Sequence, residues 1–199
     1  MSDDSAFDIY RLPQWFESLS WQHMWIELML GWWVGEFGKP TSVCDFGAGD
    51  GWWCKRFKDI GVKTAYAVEL DEVAKQFISP AVYFRQHDLR RPMEVEVPFD
   101  LTICLEVAEH IDRKSGKVLC RTLSDATGGL LLFSAAQPGQ GGTEHINEQR
   151  PEYWIREIEA QDKLAYSDWR TQKTQHAFTN INNECYRFLA GNVLVFAHV

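Results

Sequence analysis

The sequence predicts an α/β fold in which helices cover both faces of a parallel sheet. Three observations indicate this fold. Short runs rich in β-branched and aromatic residues alternate with helical patterns along the 199 residues. The first such run ends in an acidic residue and a glycine-rich turn, a common junction between a buried strand and a ligand-binding loop. An apolar content of 45% with 24% charged residues is ordinary for a globular domain and sufficient for one substantial core.

Periodicity and the breaks between segments predict seven strands and four helices in order. The predicted strands are 42–46, 64–69, 81–85, 99–105, 129–134, 164–169 and 192–198. The predicted helices lie near 52–60, 72–79, 113–126 and 152–162. Pro40-Thr41 precedes the first strand, Gly128-Gly129 is expected to end a helix, and Pro151 suits the first turn of the next helix. We expect a helical segment of residues 1–39 and then a domain of residues 40–199.

Glycines at every second position follow the first predicted strand, at Gly47, Gly49 and Gly51. Glycine is favoured where a turn needs positive φ and where a ligand approaches the backbone closely. A dinucleotide-binding loop would place its third glycine at position 52, which is Trp52 here. Asp45, two residues before the first glycine, favours a ligand with a cationic end over one that presents a pyrophosphate there.

This segment resembles the first motif of class I S-adenosylmethionine-dependent methyltransferases, an acidic residue followed by G-x-G-x-G. The resemblance implies that the cofactor is S-adenosylmethionine, whose ammonium and sulfonium suit a carboxylate. It also implies a Rossmann-like sheet of seven strands, mostly parallel, with an antiparallel strand near the C-terminus. The implied cofactor contacts in this segment are Asp45, Gly47, Ala48, Gly49 and Gly51.

The second predicted strand ends on two carboxylates. An acidic residue about 20 positions past a glycine loop is placed to accept hydrogen bonds from ribose hydroxyls. The resemblance favours Glu69, with Leu70 beside it, for this contact. Asp71 is the competing residue, but we expect it to cap the helix that follows.

The third and fourth predicted strands also end on residues that the family uses. The resemblance implies that Asp88, followed by Leu89, faces the adenine amino group. The run from Phe99 to Ile111 is similar to the family signature F-D-[apolar]-E-V-x-E-H-[IV], which implies that Glu106 and Val107 lie beside the cofactor. Glu109 and His110 then fall on the turn into the next helix. Three roles stay open for His110: a catalytic base, a contact to the substrate, and a structural role at the entry to the helix.

The loop after the fifth predicted strand, residues 134–154, is unusually rich in glycine and polar side chains. It contains P-G-Q-G-G-x-x-H-x-N-E-Q and then P-x-Y-W. This run is similar to that of a subgroup of small class I methyltransferases.

Chemistry assigns provisional roles within this loop. Methyl transfer needs a positioned nucleophile, and a hydroxyl acceptor also needs a base. We predict His145 as the base, oriented by Glu144 or Glu148. The residues expected to hold a polar substrate are Gln140, Asn147, Gln149 and His110. The alternative is that these side chains only hydrogen-bond the loop to itself.

The residues before the sheet carry many aromatic side chains near helical spacing. Three uses stay open for residues 12–37: a helix on the sheet edge, a lid over the cofactor and substrate pocket, and a homodimer interface. The resemblance directs attention to Trp21, Gln22 and His23, because N-terminal helices of the family often reach the cofactor.

Charge disfavours nucleic acid as a partner. The net charge is −8, and the densest basic spot is only Arg85, Arg90 and Arg91. No apolar run approaches the ~18 residues of a membrane span. The N-terminus carries acidic residues and no basic region, so it does not look like a secretory signal, and we expect a cytoplasmic protein. These acidic residues are Asp3, Asp4 and Asp8.

The five cysteines show neither a C-x-x-C pair nor histidines at ligand spacing. The sequence therefore predicts no disulfide framework and no metal site. Cys44 and Cys104 lie inside predicted strands and are expected to be small buried side chains.

We therefore predict an S-adenosylmethionine-dependent methyltransferase for a small polar acceptor, through oxygen, with a sugar or glycan-precursor hydroxyl as the working hypothesis. Two alternatives stay open. One is methylation of a nucleobase or nucleotide. The other is a cofactor-binding homologue without turnover that acts through a protein partner.

Overall fold

The fold is taken from a computed structural model, and the structure describes residues 12–181 and 187–199. The acidic residues at positions 3, 4 and 8 lie outside this part of the chain. The strands are β1 (Ser42–Phe46), β2 (Thr64–Glu69), β3 (Tyr83–Gln86), β4 (Phe99–Leu105), β5 (Thr127–Ser134), β6 (Leu164–Tyr166) and β7 (Leu194–His198). The α-helices are α1 (Pro13–Ser18), α2 (His23–Phe37), α3 (Trp52–Asp59), α4 (Arg113–Ala126), α5 (Pro151–Glu159), α6 (Asp168–Ile181) and α7 (Arg187–Asn192). Short 3₁₀ turns span Leu19–Gln22, Glu72–Gln76 and Ala108–His110.

The seven strands form one sheet in the order β3-β2-β1-β4-β5-β7-β6. All neighbouring strands are parallel except at β7, which runs antiparallel to both β5 and β6. The predicted Rossmann-like fold class is therefore confirmed. The chain moves outward from β1 to β3 and then returns to β4 on the other side of β1. This reversal opens a crevice at the carboxyl ends of β1 and β4, where open α/β sheets bind ligands.

Helices cover both faces of the sheet, because successive residues of a strand point to opposite sides. In β5, Leu131 and Phe133 join the cluster beneath α4 and α5, which includes Trp154. Leu132 joins the opposite cluster, which α2, α3 and α6 also build. Cys44 and Cys104 are fully buried, as predicted. No helix in the described residues is both long and apolar enough to cross a membrane.

The prediction that Gly128-Gly129 ends a helix is wrong, because α4 ends at Ala126 and β5 already begins at Thr127. A side chain at Gly129 would place its Cβ 2.3 Å from the backbone oxygen of Asp100. The register of β4 against β5 shifts between Phe99 and Leu101 at this point. These glycines therefore permit a close approach of two strands.

The C-terminal third differs most from the sequence prediction. The strand predicted at 164–169 ends at Tyr166, and helix α6 begins at Asp168. Two threonines, Thr171 and Thr174, occupy buried positions of α6, so its apolar stripe is interrupted in the sequence. Thr171 accepts a hydrogen bond at its hydroxyl oxygen from Val195 N, 2.9 Å away in β7. The strand predicted from position 192 begins at 194, because α7 extends to position 192.

Smaller differences concern the other elements. The helix predicted at 72–79 is a short 3₁₀ turn, and Asp71 caps it as expected by accepting a hydrogen bond from Val73 N at 2.9 Å. The third strand begins at Tyr83, two residues later than predicted. The fourth predicted helix begins at Pro151, in accord with the role given to this proline, and it ends at Glu159.

Candidate functional site

The glycine loop after β1 owes its shape to three glycines with positive φ. Gly47, Gly49 and Gly51 have φ values of 79°, 55° and 71°. A Cβ at Gly47 would lie 2.4 Å from a methyl group of Val107, and one at Gly49 would lie 2.8 Å from Leu19. Larger residues would therefore be strained in conformation and would also displace neighbouring residues.

Asp45 is the penultimate residue of β1, lies beneath this loop and is almost fully buried. Its Oδ2 has no hydrogen-bond partner in the described part of the chain. Burial, reinforced by the nearby carboxylates of Glu69 and Asp50, raises the pKa of Asp45 to about 8. A cation placed beside this group would favour its charged form.

Glu69 joins the end of β2 to the glycine loop. Its Oε2 accepts a hydrogen bond from Gly49 N at 2.9 Å and its Oε1 accepts one from Leu70 N at 2.6 Å. Burial raises the pKa of Glu69, and these two amide donors oppose that shift. Each carboxylate oxygen has a further lone pair, so hydroxyl donors in the cleft can also be accepted.

Asp88 and Leu89, after β3, lie in the same cleft. The carboxylate of Asp88 accepts hydrogen bonds at 2.9 Å from two nitrogens of the Arg90 guanidinium. Burial alone would raise the pKa of Asp88, but the hydrogen bonds from Arg90 outweigh it and the pKa is lowered. Asp88 is therefore a charged acceptor already held in position.

Glu106 lies directly after β4 and adopts a φ of 54°, an uncommon conformation for a residue with a side chain. Asn192 Nδ2, at the end of α7, donates to both of its carboxylate oxygens at 3.2 and 3.3 Å. The same amide nitrogen donates to Gln140 Oε1 at 2.9 Å. Asn192, to which the sequence assigned no role, therefore connects the end of β4 to the loop after β5.

The cleft has two parts, which share Trp15, Gly47 and Glu106. The first part is lined by Glu69, Leu70, Asp88, Leu89, Val107 and His110, among others. The second is lined by Asp45, Ala48, Gly49 and aromatic residues of the N-terminal segment, including Trp21. The predicted cofactor residues of four strand ends are thus brought to one crevice, with the exception of Gly51, which faces Ile78 and lines neither part.

The N-terminal segment meets the glycine loop directly. Trp15 and Leu19 lie above Gly49, and Gln22 lines the second part of the cleft. The His23 ring stacks on Trp52 with a centroid distance of 3.6 Å, and its Nε2 lies 2.5 Å from Asp50 Oδ2. The segment consists of two helices joined by a 3₁₀ turn, and α2 shares an apolar cluster with β1, β4, β5 and β7 at the centre of the sheet.

Glu109 anchors the loop after β5. Its backbone oxygen accepts hydrogen bonds from the amides of Ile146 and Asn147, both at 2.9 Å. Its Oε1 accepts one from Ala136 N at 3.2 Å. Burial, followed by the charge of Glu106, raises the pKa of Glu109 to about 8.

This anchoring brings His145 against His110, with ring centroids 4.9 Å apart and an interplanar angle of 79°. His145 Nδ1 donates to Glu148 Oε1 at 3.0 Å, and His110 Nδ1 donates to the backbone oxygen of Glu144 at 3.3 Å. Burial and then His145 lower the pKa of His110 to about 4. His110 lines the cleft, whereas His145 lies in the loop after β5 and contacts the His110 ring.

The remaining polar residues of the loop have contacts within the loop and its surroundings. Glu148 also accepts hydrogen bonds from Gly139 N and Gly141 N at 2.8 and 2.7 Å. Asn147 is buried, and its Oδ1 accepts from Gln149 Nε2 at 3.0 Å. These contacts agree with the alternative interpretation of the sequence, in which the polar side chains of this loop only form hydrogen bonds within the loop.

The spacing of histidines and cysteines predicted no metal site, yet folding brings together three side chains with metal-binding atoms. One ligand atom from each of Glu109, His110 and His145 lies within 4.8 Å of the other two. Residues 109 and 145 are far apart in the sequence, so no short motif reveals this cluster.

The chain belongs to a family defined by a methyltransferase domain, whose model matches residues 22–187. This membership supports a transferase. No curated protein matched the sequence.

Solved methyltransferases share the fold. A putative methyltransferase of Haloferax volcanii, in complex with the Trm112 methyltransferase activator, has a TM-score of 0.68 at 12% identity, covering 100% of this chain and 97% of that chain. The magnesium protoporphyrin IX methyltransferase of Synechocystis with bound S-adenosylhomocysteine has a TM-score of 0.61 at 18% identity, covering 89% and 83%. The 1,6-didemethyltoxoflavin-N1-methyltransferase of Burkholderia thailandensis, also with S-adenosylhomocysteine, has a TM-score of 0.61 at 15% identity, covering 92% and 82%.

At these identities the likeness shows the fold and leaves the acceptor open. Family membership, together with neighbours that hold S-adenosylmethionine or its product, supports S-adenosylmethionine as the cofactor.

Proposed function

We propose that this protein transfers a methyl group from S-adenosylmethionine to the oxygen of a small polar acceptor. The observation that carries the proposal is one crevice at the carboxyl ends of β1, β2 and β4. It combines the glycine loop with Asp45 and Glu69, and its wall includes His110, which contacts His145.

The cofactor would lie across both parts of the cleft. Glu69 accepts the ribose hydroxyls, and Asp88 with Leu89 meets the adenine. The methionine end lies over Gly47, Ala48 and Gly49. There its ammonium would favour the carboxylate form of Asp45. Further contacts come from Gly51, Leu70, Glu106 and Val107.

The acceptor would lie beside His110 and the loop after β5. His145 takes the proton of the acceptor hydroxyl, and Glu148 orients it through the 3.0 Å hydrogen bond to Nδ1. Glu144 acts through its backbone oxygen, which orients His110. Gln140, Asn147 and Gln149 shape the acceptor side of the loop. A sugar or glycan-precursor hydroxyl is the acceptor class that this polar loop suits.

The cofactor site is tested by calorimetric binding of S-adenosylmethionine and S-adenosylhomocysteine. Glu69→Ala and Gly49→Val should lose binding, because one removes the ribose acceptor and the other fills the loop. Glu72→Ala, an exposed carboxylate in an ion pair with Lys75, is the matched control and should bind as wild type does. Absence of binding by the wild-type protein would overturn the proposal.

The acceptor chemistry is tested by methyl transfer to a panel of hydroxyl, amine and nucleobase compounds. Transfer to a hydroxyl, lost in His145→Ala while S-adenosylhomocysteine still binds, is the expected result. Transfer to nitrogen would contradict the assignment to oxygen. Cofactor binding without transfer to any acceptor would instead favour a homologue that acts through a partner.

Location and assembly are further parts of the proposal. We expect a cytoplasmic protein, and its net charge of −8 disfavours nucleic acid as a partner. A homodimer would use the N-terminal segment, where Trp21, Met24 and Leu28 are exposed. Light scattering of the wild type and of Met24→Glu tests this, because a charge in the interface should shift a dimer to monomer.

A further inference from the structure

We infer that Glu109, His110 and His145 form a binding site for a divalent transition-metal ion such as zinc. Two histidines with one carboxylate are an established ligand set for such ions, with positions left open for water or a substrate. The ligand atoms lie within 4.8 Å of one another. Ligands around one zinc ion lie roughly 3 to 3.5 Å apart, so small side-chain rotations would close the site.

Both histidines already have the outer hydrogen bond that metal-bound histidines usually make. His110 Nδ1 donates to the backbone oxygen of Glu144, and His145 Nδ1 donates to the carboxylate of Glu148. Such bonds fix the ring and the tautomer, and they place the lone pair on Nε2. Glu148 is itself held by two backbone amides of the glycine-rich loop.

Glu109 supplies an observation that anchoring the loop does not explain. The side chain is fully buried, and Oε1 and the backbone oxygen make the anchoring hydrogen bonds. Its Oε2 has no hydrogen-bond partner among the described residues. A buried carboxylate oxygen without a partner is costly, and either a proton shared with the nearby Glu106 carboxyl or a bound cation would compensate that cost.

The surrounding charges favour a cation. Glu106 and Glu148 lie near the cluster, and neither they nor Glu109 form an ion pair with a Lys or Arg in the described ranges. A bound divalent ion would therefore meet no competing Lys or Arg side chain at these carboxyl groups within the described residues.

The site lies beside the region where the acceptor would bind, because His110 lines the cleft. The role of the ion rests on the proposed function. Coordination would lower the pKa of the acceptor hydroxyl, and its proton would pass to solvent. The acceptor oxygen would then bond to the methyl carbon as the bond from that carbon to the sulfonium sulfur breaks, and S-adenosylhomocysteine would leave. His145 would then be a metal ligand, and coordination would replace its action as a base. Binding of the ion does not depend on this role.

Cobalt(II) alone is a suitable probe, since a site that holds zinc also holds cobalt and gives visible d–d absorption. The full chain is stripped with a chelator and titrated with cobalt, and zinc binding is then measured by calorimetry. One ion per chain is expected. Glu109→Gln and His145→Ala should weaken binding at least about tenfold, whereas His198→Ala, an exposed histidine outside the cluster, should not.

Glu109→Gln keeps an acceptor for Ala136 N, and circular dichroism checks that both variants fold. His145→Ala changes a loop residue, so it remains informative if Glu109→Gln does not fold. Equal cobalt binding by wild type and His145→Ala, or no binding by wild type, would overturn the site. Metal binding without methyl transfer would overturn the proposed function alone, and methyl transfer by a chain that binds no metal would overturn the site alone.

Discussion

Replacing Asp45 by asparagine should make the protein more stable at neutral pH, with a gain that grows as pH rises. Asp45 is buried beneath the glycine loop, and its pKa is raised to about 8 from an ordinary 3.8. The folded state therefore binds a proton that the unfolded state has already released. Wild-type stability from this group is fully present below pH ~4 and is lost progressively as the pH approaches ~8.

The magnitude follows from the linkage between protonation and folding. Each pH unit in this window removes about 1.4 kcal/mol of unfolding free energy from the wild type. The asparagine side chain of the variant does not titrate, so the difference between the two proteins should change by roughly 3 kcal/mol between about pH 5 and pH 7. Other titrating groups cancel in that difference, provided that their surroundings are unchanged.

The assay is urea unfolding of wild type and Asp45→Asn at several pH values without cofactor. The slope of the difference against pH is the quantity to compare. A difference that stays constant over this window would refute the reasoning, because it would mean that Asp45 is ionised in the folded protein. A variant that is less stable than the wild type by a constant amount over this window would mean that an ionised Asp45 has a stabilising partner.

Three glycine substitutions give further predictions. Gly47→Ala should weaken S-adenosylhomocysteine binding by about tenfold or more in calorimetry, because its Cβ would lie 2.4 Å from Val107. Gly142→Ala should abolish methyl transfer but leave S-adenosylhomocysteine affinity unchanged, because a Cβ there would lie 2.4 Å from the His145 ring. Gly129→Ala should lower the free energy of unfolding in urea by about 1–3 kcal/mol, because its Cβ would meet a backbone oxygen of β4.

Gly191→Ala is the matched control for this series. It lies in α7 with no atom within 4 Å of the added Cβ, so it should be neutral or slightly stabilising. If Gly47→Ala binds S-adenosylhomocysteine as tightly as the wild type does, the side chain of Val107 moves away from the added Cβ without cost. Loss of cofactor binding in Gly142→Ala would mean that the two loops are coupled.

Local sequence was sufficient for most of the strands and for the shape of the glycine loop. Glycine spacing after β1 predicted the positive φ values that the loop has, because those values depend on the residue type at each position. The acidic residues at the ends of β1, β2 and β4 lie on one crevice, because parallel strands present their carboxyl ends at the same edge.

Local sequence was insufficient where polar residues are buried or where strands approach closely. Thr171 and Thr174 interrupt the apolar stripe of α6 and are buried against β7 and within the helix. Gly129 looks like a helix end in the sequence, but it lies in strand β5. The residue there is glycine because β4 leaves no room for a side chain. Both cases depend on a neighbouring element that is distant in the chain.

The sequence by itself determined the fold class, the approximate positions of most strands, and the residues of the glycine loop. Tertiary structure alone decided that Asn192 holds Glu106 and that His145 meets His110 and Glu109. The physical reason is that strand periodicity and turn conformation are local properties of the chain. The path of a long loop instead depends on hydrogen bonds to residues distant in the chain. Here the backbone oxygen of Glu109 accepts hydrogen bonds from the amides of Ile146 and Asn147.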